Sequence, residues 1–430
     1  MFIVESLAGL EVLDSRGRPT VQATCRLAGG FEATASVPSG ASTGLAEALE
    51  LRDGDPGRYR GLGCRRAVGH VSGVLNRALA GRSFQDQAAC DRALLDLDGT
   101  SNKSNLGANA ILAVSLAFAR ASARQRGRPL YQHFGDLLGR PVGTLPRPTI
   151  NLFSGGQHAG GQAPLQDVLL VPLAARTIDE ALAMTFAVYQ CAAELARQKY
   201  GMRLLRADEG GLAPPFPNAE AMLEDSLASI TAAGLKPGAE LALAVDVAAS
   251  HFCQDGCYHL GADLLDSSAL MDRLARWTDI YPIVSLEDGL AQDDWAHWPE
   301  LRARLESRAW IVGDDFLCTN PARVRRAVEA QAANALLLKV NQVGTLTEAL
   351  EAHRLARAAG WHVSVSARSG DTEDDWLADL AVGWEADQIK IGSITQSERL
   401  AKYNRLLAIE TETGWPLARQ EKTRRALGCV

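Results

Sequence analysis

The chain lacks the patterns that mark zinc-binding, secreted and membrane proteins. Its eight cysteines are scattered over 430 residues and never form a CxxC pair. Cys253 and Cys257 are four residues apart, but no second cysteine pair or nearby histidine pair completes a zinc site. The N-terminal "MFIVESLAGLEVLDSRG" carries charges too early for a secretory core, and no apolar run approaches the length of a membrane span. We therefore expect a cytoplasmic protein with reduced thiols.

The chain also lacks an excess of positive charge. Its net charge is −7, so no global basic field attracts nucleic acid or an anionic membrane, and we expect neither as a partner. An anionic ligand would have to be held by local positive groups. No glycine-rich dinucleotide loop follows an early strand, which argues against a Rossmann sheet.

The arrangement of strands and helices changes near residue 138. Before it, "PTVQATCRLAGGFEATASVP" predicts a hairpin with its turn at Gly29 and Gly30, and "NLGANAILAVSLAFARASARQRG" predicts a long helix. The segment "GRPVGTLPRPT" then places three prolines in eleven residues, which is typical of a boundary. We predict an α+β domain at 1–137 and a second domain at 138–430.

In the second domain, short apolar runs each lead to a polar residue, and helical patterns separate them. Continuous apolar runs are typical of strands buried on both faces. Repeated βα units predict a parallel barrel, whose active site gathers residues from the C-terminal ends of its strands. The polar residues at the predicted strand ends are Asp246, Glu287, Asp314, Lys339, Arg368 and Lys390.

Three successive strands are predicted to end in the carboxylates Asp246, Glu287 and Asp314. Oxygen ligands without histidine or cysteine suit a hard cation, foremost Mg²⁺. Acids at strand ends can also be solvated or cap the next helix. Three in a row, followed by two strand-end lysines, favour the metal site.

Two further residues are candidates for proton transfer. Lys339 follows the apolar run "ALLL", and desolvation and a nearby cation would both lower its pKa and allow it to act as a base. The alternative is a lysine that only pairs with an acid. Glu209, before a glycine pair in "RADEGGLAPP", could protonate a leaving group or be a solvated loop carboxylate.

Small polar segments could close over or bind an anion. The glycine-rich loop "VPSGASTG" could close over a phosphate or metal. A second flexible loop, "SGGQHAGG", contains His158; a lone histidine is more often structural than functional, but its position between glycine pairs argues against a core residue. Arg368 and Ser369 are good phosphate-binding groups, and they directly follow the methyl side chain of Ala367.

Together these segments resemble enolase along nearly the whole chain. The resemblance implies an α+β capping domain, a modified (β/α)8 barrel and a Mg²⁺-dependent dehydration with two ions per site, usually of 2-phosphoglycerate to phosphoenolpyruvate. The motifs that carry it are "LDSRGRPTV", "VPSGASTG", "EALELRDGD", "LGANAILAVSLA", "DEGGLAP", "DVAAS", "EDGLAQDDW", "IVGDD", "KVNQVGTLTE", "RSGDTED" and "QIKIGS…SERLAKYN".

The resemblance also implies a role for each matching residue. Asp246, Glu287 and Asp314 match the tight Mg²⁺ ligands, and Ser42 matches a loop residue at a second Mg²⁺. Lys339 matches the base and Glu209 the acid that assists loss of hydroxide. The implied substrate contacts are Lys390 with the carboxylate, Arg368 and Ser369 with the phosphate, and the mobile-loop residue His158.

The chain departs from the enolase pattern around the substrate. Ala367 stands where the family has histidine, and Asp167 where it has the longer glutamate. Ser154, Gly289 and Gln396 replace an asparagine, a proline and an arginine. Because the implied metal ligands, base and acid are kept, these changes favour an altered substrate over lost activity.

We therefore expect a specialised relative that acts on a phosphono analogue of 2-phosphoglycerate, as the carboxyphosphonoenolpyruvate synthase branch of phosphonate antibiotic pathways does. The methyl group of Ala367 would make room for a bulkier anionic group on phosphorus. The alternatives are an ordinary enolase and a non-catalytic enolase fold used for binding. The resemblance further implies a homodimer or a higher homo-oligomer.

Overall fold

The computed structural model describes residues 1–41, 43–161, 163, 165–201 and 205–420. The chain begins with an antiparallel sheet in the order β3-β2-β1-β4. Gly29 and Gly30, both with positive φ, form the turn between β2 and β3 and confirm the predicted hairpin. The strands are β1 (Phe2–Leu13), β2 (Pro19–Leu27), β3 (Phe31–Ser36) and β4 (Ser83–Phe84).

The described residues of this N-terminal region also form five α-helices. The alanine-rich pattern predicted as a long helix forms α4, which is almost entirely buried and packs against β2 and β3. A π-helical segment, Val71–Leu75, joins α1 to α2. The helices are α1 (Arg65–His70), α2 (Asn76–Leu79), α3 (Gln87–Asp98), α4 (Ala108–Gln125) and α5 (Leu130–Leu138).

Eight strands of the second region close into a barrel, which confirms the predicted fold class. Each of these strands is buried along almost its whole length, as the continuous apolar runs indicated. In order around the barrel they are β5 (Arg147–Ser154), β6 (Asp167–Pro172), β7 (Leu241–Asp246), β11 (Ile283–Glu287), β12 (Trp310–Gly313), β13 (Ala335–Leu338), β14 (His362–Ser366) and β15 (Gln388–Gly392), which pairs with β5. Between β7 and β11 in the chain, β8 (Cys253–Gln254), β9 (Cys257–Leu260) and β10 (Asp263–Leu265) form a small separate sheet.

One strand departs from the all-parallel barrel that repeated βα units predict. β6 is antiparallel to both β5 and β7, whereas the other neighbouring pairs are parallel. In the described part of the connection 155–166 there is a 3₁₀ turn, Gly156–Ala159, in place of the α-helix that usually joins parallel neighbours. Because β6 runs in the opposite direction, its first residue, Asp167, lies at the end of the barrel where the other strands finish.

Helices cover the outside of the barrel. α5 packs against α12, so the N-terminal region is joined to the barrel by helix packing as well as by the chain. The helices are α6 (Ile178–Tyr200), α7 (Ala219–Ala232), α8 (Ser267–Ile280), α9 (Trp298–Leu305), α10 (Pro321–Glu329), α11 (Leu346–Ala358), α12 (Trp376–Gly383) and α13 (Ser397–Thr413).

The N-terminal region also contacts the loop after β14. Ser39 and Gly370 form an antiparallel bridge with backbone N···O distances of 2.7 and 2.9 Å. Arg120 of α4 forms an ion pair with Asp374 at 2.5 Å, and a second ion pair joins Lys103 to Glu348 at 2.5 Å. The loop that precedes residue 42 is thereby fixed beside the C-terminal end of the barrel.

Among the described helices, none is both long enough and apolar enough to cross a bilayer.

Candidate active site

Acidic residues of neighbouring strands meet at one end of the barrel. Asp246 ends β7 and Glu287 ends β11, and the parallel register pairs these two residues. Asp314 directly follows β12, the next strand around the barrel. All three residues are at least nine-tenths buried. The fold thus brings the three predicted metal ligands to the same edge, as expected for strand-end residues of a barrel.

Lys390 of β15 lies between two of these carboxylates. Its Nζ is 3.0 Å from Asp246 Oδ2 and 2.8 Å from each oxygen of Glu287. Burial and the nearby charge of Asp246 raise the pKa of Glu287 well above its usual range. Burial opposes ionisation of Asp246 too, but Lys390 and a hydrogen bond with Glu287 lower its pKa to about 2. The prediction that Lys390 binds a substrate carboxylate stays a prediction, because here its ammonium group contacts acids of the protein.

Lys339, which follows β13, pairs with the third carboxylate. Its Nζ is 2.5 Å from Asp314 Oδ2, and Gln342 Nε2 donates to Asp314 Oδ1 at 2.9 Å. The Thr319 hydroxyl accepts from the Lys339 backbone N–H at 2.9 Å and donates to Gln342 Oε1 at 2.6 Å. Both Lys339 and Asp314 are therefore held in fixed positions.

The sequence-based expectation that desolvation and a nearby cation lower the pKa of Lys339 stays a prediction, because the contacts described here include no cation. Burial does lower the pKa of Lys339, but the adjacent negative charge of Asp314 outweighs it, so the pKa is raised overall. The pairing of a barrel lysine with an acid, which the sequence left open as the alternative, is observed. Its role as a base stays a prediction.

A second acidic group overlaps the predicted metal ligands. Carboxylate oxygens of Asp288, Asp314 and Asp315 lie within 4.8 Å of one another, and all three residues are buried. Asp288 already accepts backbone N–H groups of Asp314 and Asp315, at 2.9 and 2.8 Å. Burial and the charge of Asp315 raise the pKa of Asp288, and burial and the charge of Asp314 raise that of Asp315 to about 7. Asp288 thus fixes the turn after β12, and together with Asp314 and Asp315 it forms a second group that could hold a metal ion.

The chemistry of this donor set fits a hard divalent cation. The oxygens belong to buried carboxylates of adjacent strand ends, and mutual repulsion of such groups is relieved by a bound cation. The assignment of Asp246, Glu287 and Asp314 as Mg²⁺ ligands stays a prediction. A cation on these oxygens would compete with Lys390 and Lys339 for them.

Glu209 is buried at the same end of the barrel, contrary to its alternative interpretation as a solvated loop carboxylate. Asn151 Nδ2 donates to Glu209 Oε2 at 3.0 Å, and the Glu209 carbonyl accepts from the Ser393 backbone at 2.8 Å. The following glycines are required by close packing. A Cβ at Gly210, where φ is +85°, would lie 2.6 Å from Thr395 Oγ1, and one at Gly211 would lie 2.3 Å from Ser154 Oγ.

Asp167 reaches the same region through the reversed strand β6. It pairs in register with Ser154 on one side and Asp246 on the other. The Ser154 hydroxyl donates to Asp167 Oδ1 at 2.5 Å, and Asp167 is fully buried. Asp167 and Ser154 both differ from the enolase pattern, and these two residues are joined by a hydrogen bond.

The predicted anion-binding residues follow β14. Arg368 is buried, with Nη1 3.0 Å from Glu47 Oε2 and 3.1 Å from Asn341 Oδ1. Burial lowers the pKa of Arg368, but the negative charge of Glu47 outweighs burial. The pKa is therefore raised overall, and the guanidinium stays charged. Ser369 accepts a hydrogen bond from the Ala41 backbone at 2.7 Å. Ala367 is buried, and its N–H donates to the Lys390 carbonyl at 2.9 Å.

Two predicted site residues lie wholly or partly outside the described residues. Ser42 lies outside the described residues, and so does the side chain of His158. The backbone of His158 belongs to the 3₁₀ turn Gly156–Ala159. Their assignments stay predictions.

Several residues at the site were not given a role by the sequence. Glu47 pairs with Arg368, Gln342 with Asp314, and Asn151 with Glu209. Glu47 and Gln342 lie in motifs that carried the resemblance, "EALELRDGD" and "KVNQVGTLTE", which was the available signal. Asp315 directly follows Asp314, so its position at a strand end was visible in the sequence.

Comparison with protein-family models agrees with this architecture. Residues 4–134 match the enolase N-terminal domain, and residues 142–422 match the enolase C-terminal TIM barrel domain. The two matches span nearly the whole chain and support a lyase of the enolase superfamily. The chain belongs to the enolase family.

Proposed function

We propose that the protein is a Mg²⁺-dependent hydro-lyase that removes the proton next to a substrate carboxylate and eliminates the neighbouring hydroxyl group. The observation that carries this proposal is the largely buried lysine at one end of the barrel, Lys339, whose Nζ is 2.5 Å from an acid of the carboxylate cluster. Such a cluster can hold a cation and a substrate carboxylate next to a base. When bound, Mg²⁺ would supply positive charge at the substrate carboxylate and make the adjacent C–H bond more acidic.

Lys339 acts as the base in this proposal. Asp314 raises its pKa, so neutralising the Asp314 charge leaves burial as the main influence and favours the uncharged amine. The amine then takes the α-proton, and the electron pair of the broken C–H bond forms the C=C bond as the β C–O bond breaks.

Glu209 acts as the acid in the same reaction. Hydroxide is a poor leaving group, so it departs as water after receiving a proton from Glu209. Asn151 Nδ2 donates to Glu209 Oε2 and orients the buried carboxyl group for this transfer. Lys390 assists by binding the substrate carboxylate once its own carboxylate partners bind the metal.

We further propose that the substrate is a carboxyphosphono analogue of 2-phosphoglycerate. Arg368 and Ser369 supply guanidinium and hydroxyl donors for the group on phosphorus, and Ala367 beside them leaves more room than the histidine of the enolase pattern. The retained acid, base and carboxylates support an altered substrate over a pure binding role. An ordinary enolase activity remains the competing outcome.

Phosphorus NMR tests this function directly. The protein is incubated with Mg²⁺ and either 2-phosphoglycerate or its carboxyphosphono analogue. We expect an enolpyruvyl product from the analogue, and none from either compound after chelation. Efficient turnover of 2-phosphoglycerate alone would identify an ordinary enolase, and no metal-dependent turnover of any candidate would favour a binding role.

Replacing Glu209 by glutamine separates the two halves of the reaction. E209Q removes the proton donor but leaves Lys339 in place. We expect turnover to fall by about 10²-fold, while the substrate α-hydrogen still exchanges with D₂O, as followed by proton NMR. Loss of exchange together with turnover would show that Glu209 does not act at the leaving group. E373Q alters a glutamate outside the candidate site and serves as the control.

Replacing Ala367 by histidine tests the space-making role. We expect A367H to lower kcat/KM for the carboxyphosphono substrate by at least about 10-fold, because an imidazole overpacks the space that the bulkier group needs. A367S, which adds a single oxygen, is the matched control and should change kcat/KM far less. Unchanged kinetics in A367H would contradict the role of Ala367.

The assembly, compartment and domain boundary are also proposals. We propose a homodimer or higher homo-oligomer in the cytoplasm, with the capping domain ending at residue 137. Multi-angle light scattering reports the assembly, and a monomeric mass would contradict it.

A further inference from the structure

The hydroxyl group of Ser369 is held by two donors from the N-terminal region. Ser369 Oγ accepts from the Ala41 backbone N–H at 2.7 Å and from Arg16 Nη1 at 3.2 Å. A serine hydroxyl has two acceptor positions and one proton to donate. With both acceptor positions filled, the O–H proton has to point away from Ala41 and Arg16. Among the described residues none accepts it, so it is available to an oxyanion.

Arg16 is itself fixed on several sides. Its Nη2 forms an ion pair with Asp14 Oδ2 at 3.1 Å and donates to the Ser39 carbonyl at 3.0 Å. Its Nε lies 3.3 Å from the same oxygen of Asp14. The Arg16 side chain is only 5% exposed. This guanidinium therefore links the loop at Ser39 to the loop that carries Ser369.

The backbone around Ser369 is shaped to admit this arginine. A Cβ at Gly370 would lie 2.2 Å from Asp14 Oδ2 and 2.3 Å from Arg16 Nη2, so any larger residue would displace the pair. The Ser39–Gly370 bridge fixes the two loops at the same point. The glycine after Ser369 thus leaves room for a guanidinium group from the other region.

We propose that Arg16 is a positioning residue for the phospho or phosphono oxyanion of the substrate, and that it acts through Ser369. This rests on the proposed function, in which Ser369 binds that oxyanion. Arg16 fixes the hydroxyl rotor so that its proton is directed at the anion, which reduces the ordering that binding requires. The N-terminal region thereby contributes to anion binding without touching the substrate itself, because Arg16 orients a residue that does.

Binding of inorganic phosphate to the Mg²⁺-loaded protein tests the proposal without requiring turnover. Isothermal titration compares wild type, R16M, S369A and the double variant. We expect R16M and S369A each to raise the phosphate Kd about 10-fold, as expected for a lost hydrogen bond to a charged group. The double variant should be at most about 2-fold weaker than S369A, because groups that act through one another are not additive. R18M, which alters an exposed arginine two residues away, should bind phosphate like wild type.

Arg16→Lys provides a second variant in case R16M does not fold. Lysine keeps the charge beside Asp14, but one ammonium lacks the fork that serves Asp14 and Ser369 together, so we expect weaker phosphate binding with folding retained. Additive effects in the double variant, or unchanged phosphate affinity in R16K and R16M with only a lower Tm, would assign Arg16 to domain docking and overturn the proposal. Absence of phosphate binding by wild type would overturn it as well. Phosphate binding with the expected coupling but no turnover would contradict only the proposed function.

Discussion

Replacing Lys339 by alanine is expected to lower turnover by about 10³-fold and to abolish exchange of the substrate α-hydrogen with solvent. Lys339 is the one strand-end lysine paired with Asp314 among the described residues, and its backbone is fixed by Thr319. Without its amine, we expect no other group to take the α-proton. Exchange in D₂O is measured by proton NMR and turnover by phosphorus NMR.

Two control variants separate proton abstraction from other roles of Lys339. K339R keeps a positive charge beside Asp314 but cannot become a neutral base at ordinary pH, so we expect it to be as inactive as K339A. K236A alters an exposed lysine and should retain full activity. Persistent α-hydrogen exchange in K339A, or substantial activity in K339R, would show that Lys339 is not the base.

Replacing Glu287 by glutamine is expected to weaken Mg²⁺ binding by at least about 10²-fold and to lower turnover in parallel. The amide keeps the shape of the side chain but removes the negative charge that a divalent cation requires. Titration calorimetry measures metal affinity directly, and activity is then followed over a range of Mg²⁺ concentrations.

The matched control for Glu287 lies in the loop that follows β11. D293N alters an exposed carboxylate there and should leave metal affinity unchanged. Circular dichroism checks that E287Q remains folded, which we expect because the neutral side chain relieves repulsion with Asp246. Wild-type metal affinity in E287Q would exclude Glu287 from the ligand set.

Much of the candidate site could be predicted because it depends on strand ends. Apolar runs that end in Asp246 and Glu287 place both residues at one edge of a barrel, whatever the details of packing. The reversal of β6 was not predicted, although it brings Asp167 to that edge. Its signal is the glycine-rich sequence of the connection 155–166, which favours a loop over a helix but can be interpreted only once the flanking strands are known.

Pairing between side chains was the part that the sequence could not supply. Lys339 had two possible environments, and only the 2.5 Å contact with Asp314 shows that the acid outweighs burial and raises its pKa. Arg16 and Glu47 are distant in the chain from Ser369 and Arg368, so their contacts depend on how the N-terminal region docks. Hydrophobic periodicity in the sequence identifies helices and strands, but it does not determine which charged side chains of different helices, strands and loops contact each other.

We propose that carboxylates of neighbouring strands hold a divalent cation at the end of the barrel beside Lys339. Anomalous diffraction from crystals grown with Mn²⁺, a substitute for Mg²⁺ that can be located at its absorption edge, tests it most directly. We predict an anomalous peak in contact with the carboxylates of Asp246, Glu287 and Asp314. A peak held by Asp288 and Asp315 instead, or no peak near these acids at saturating Mn²⁺, would contradict it.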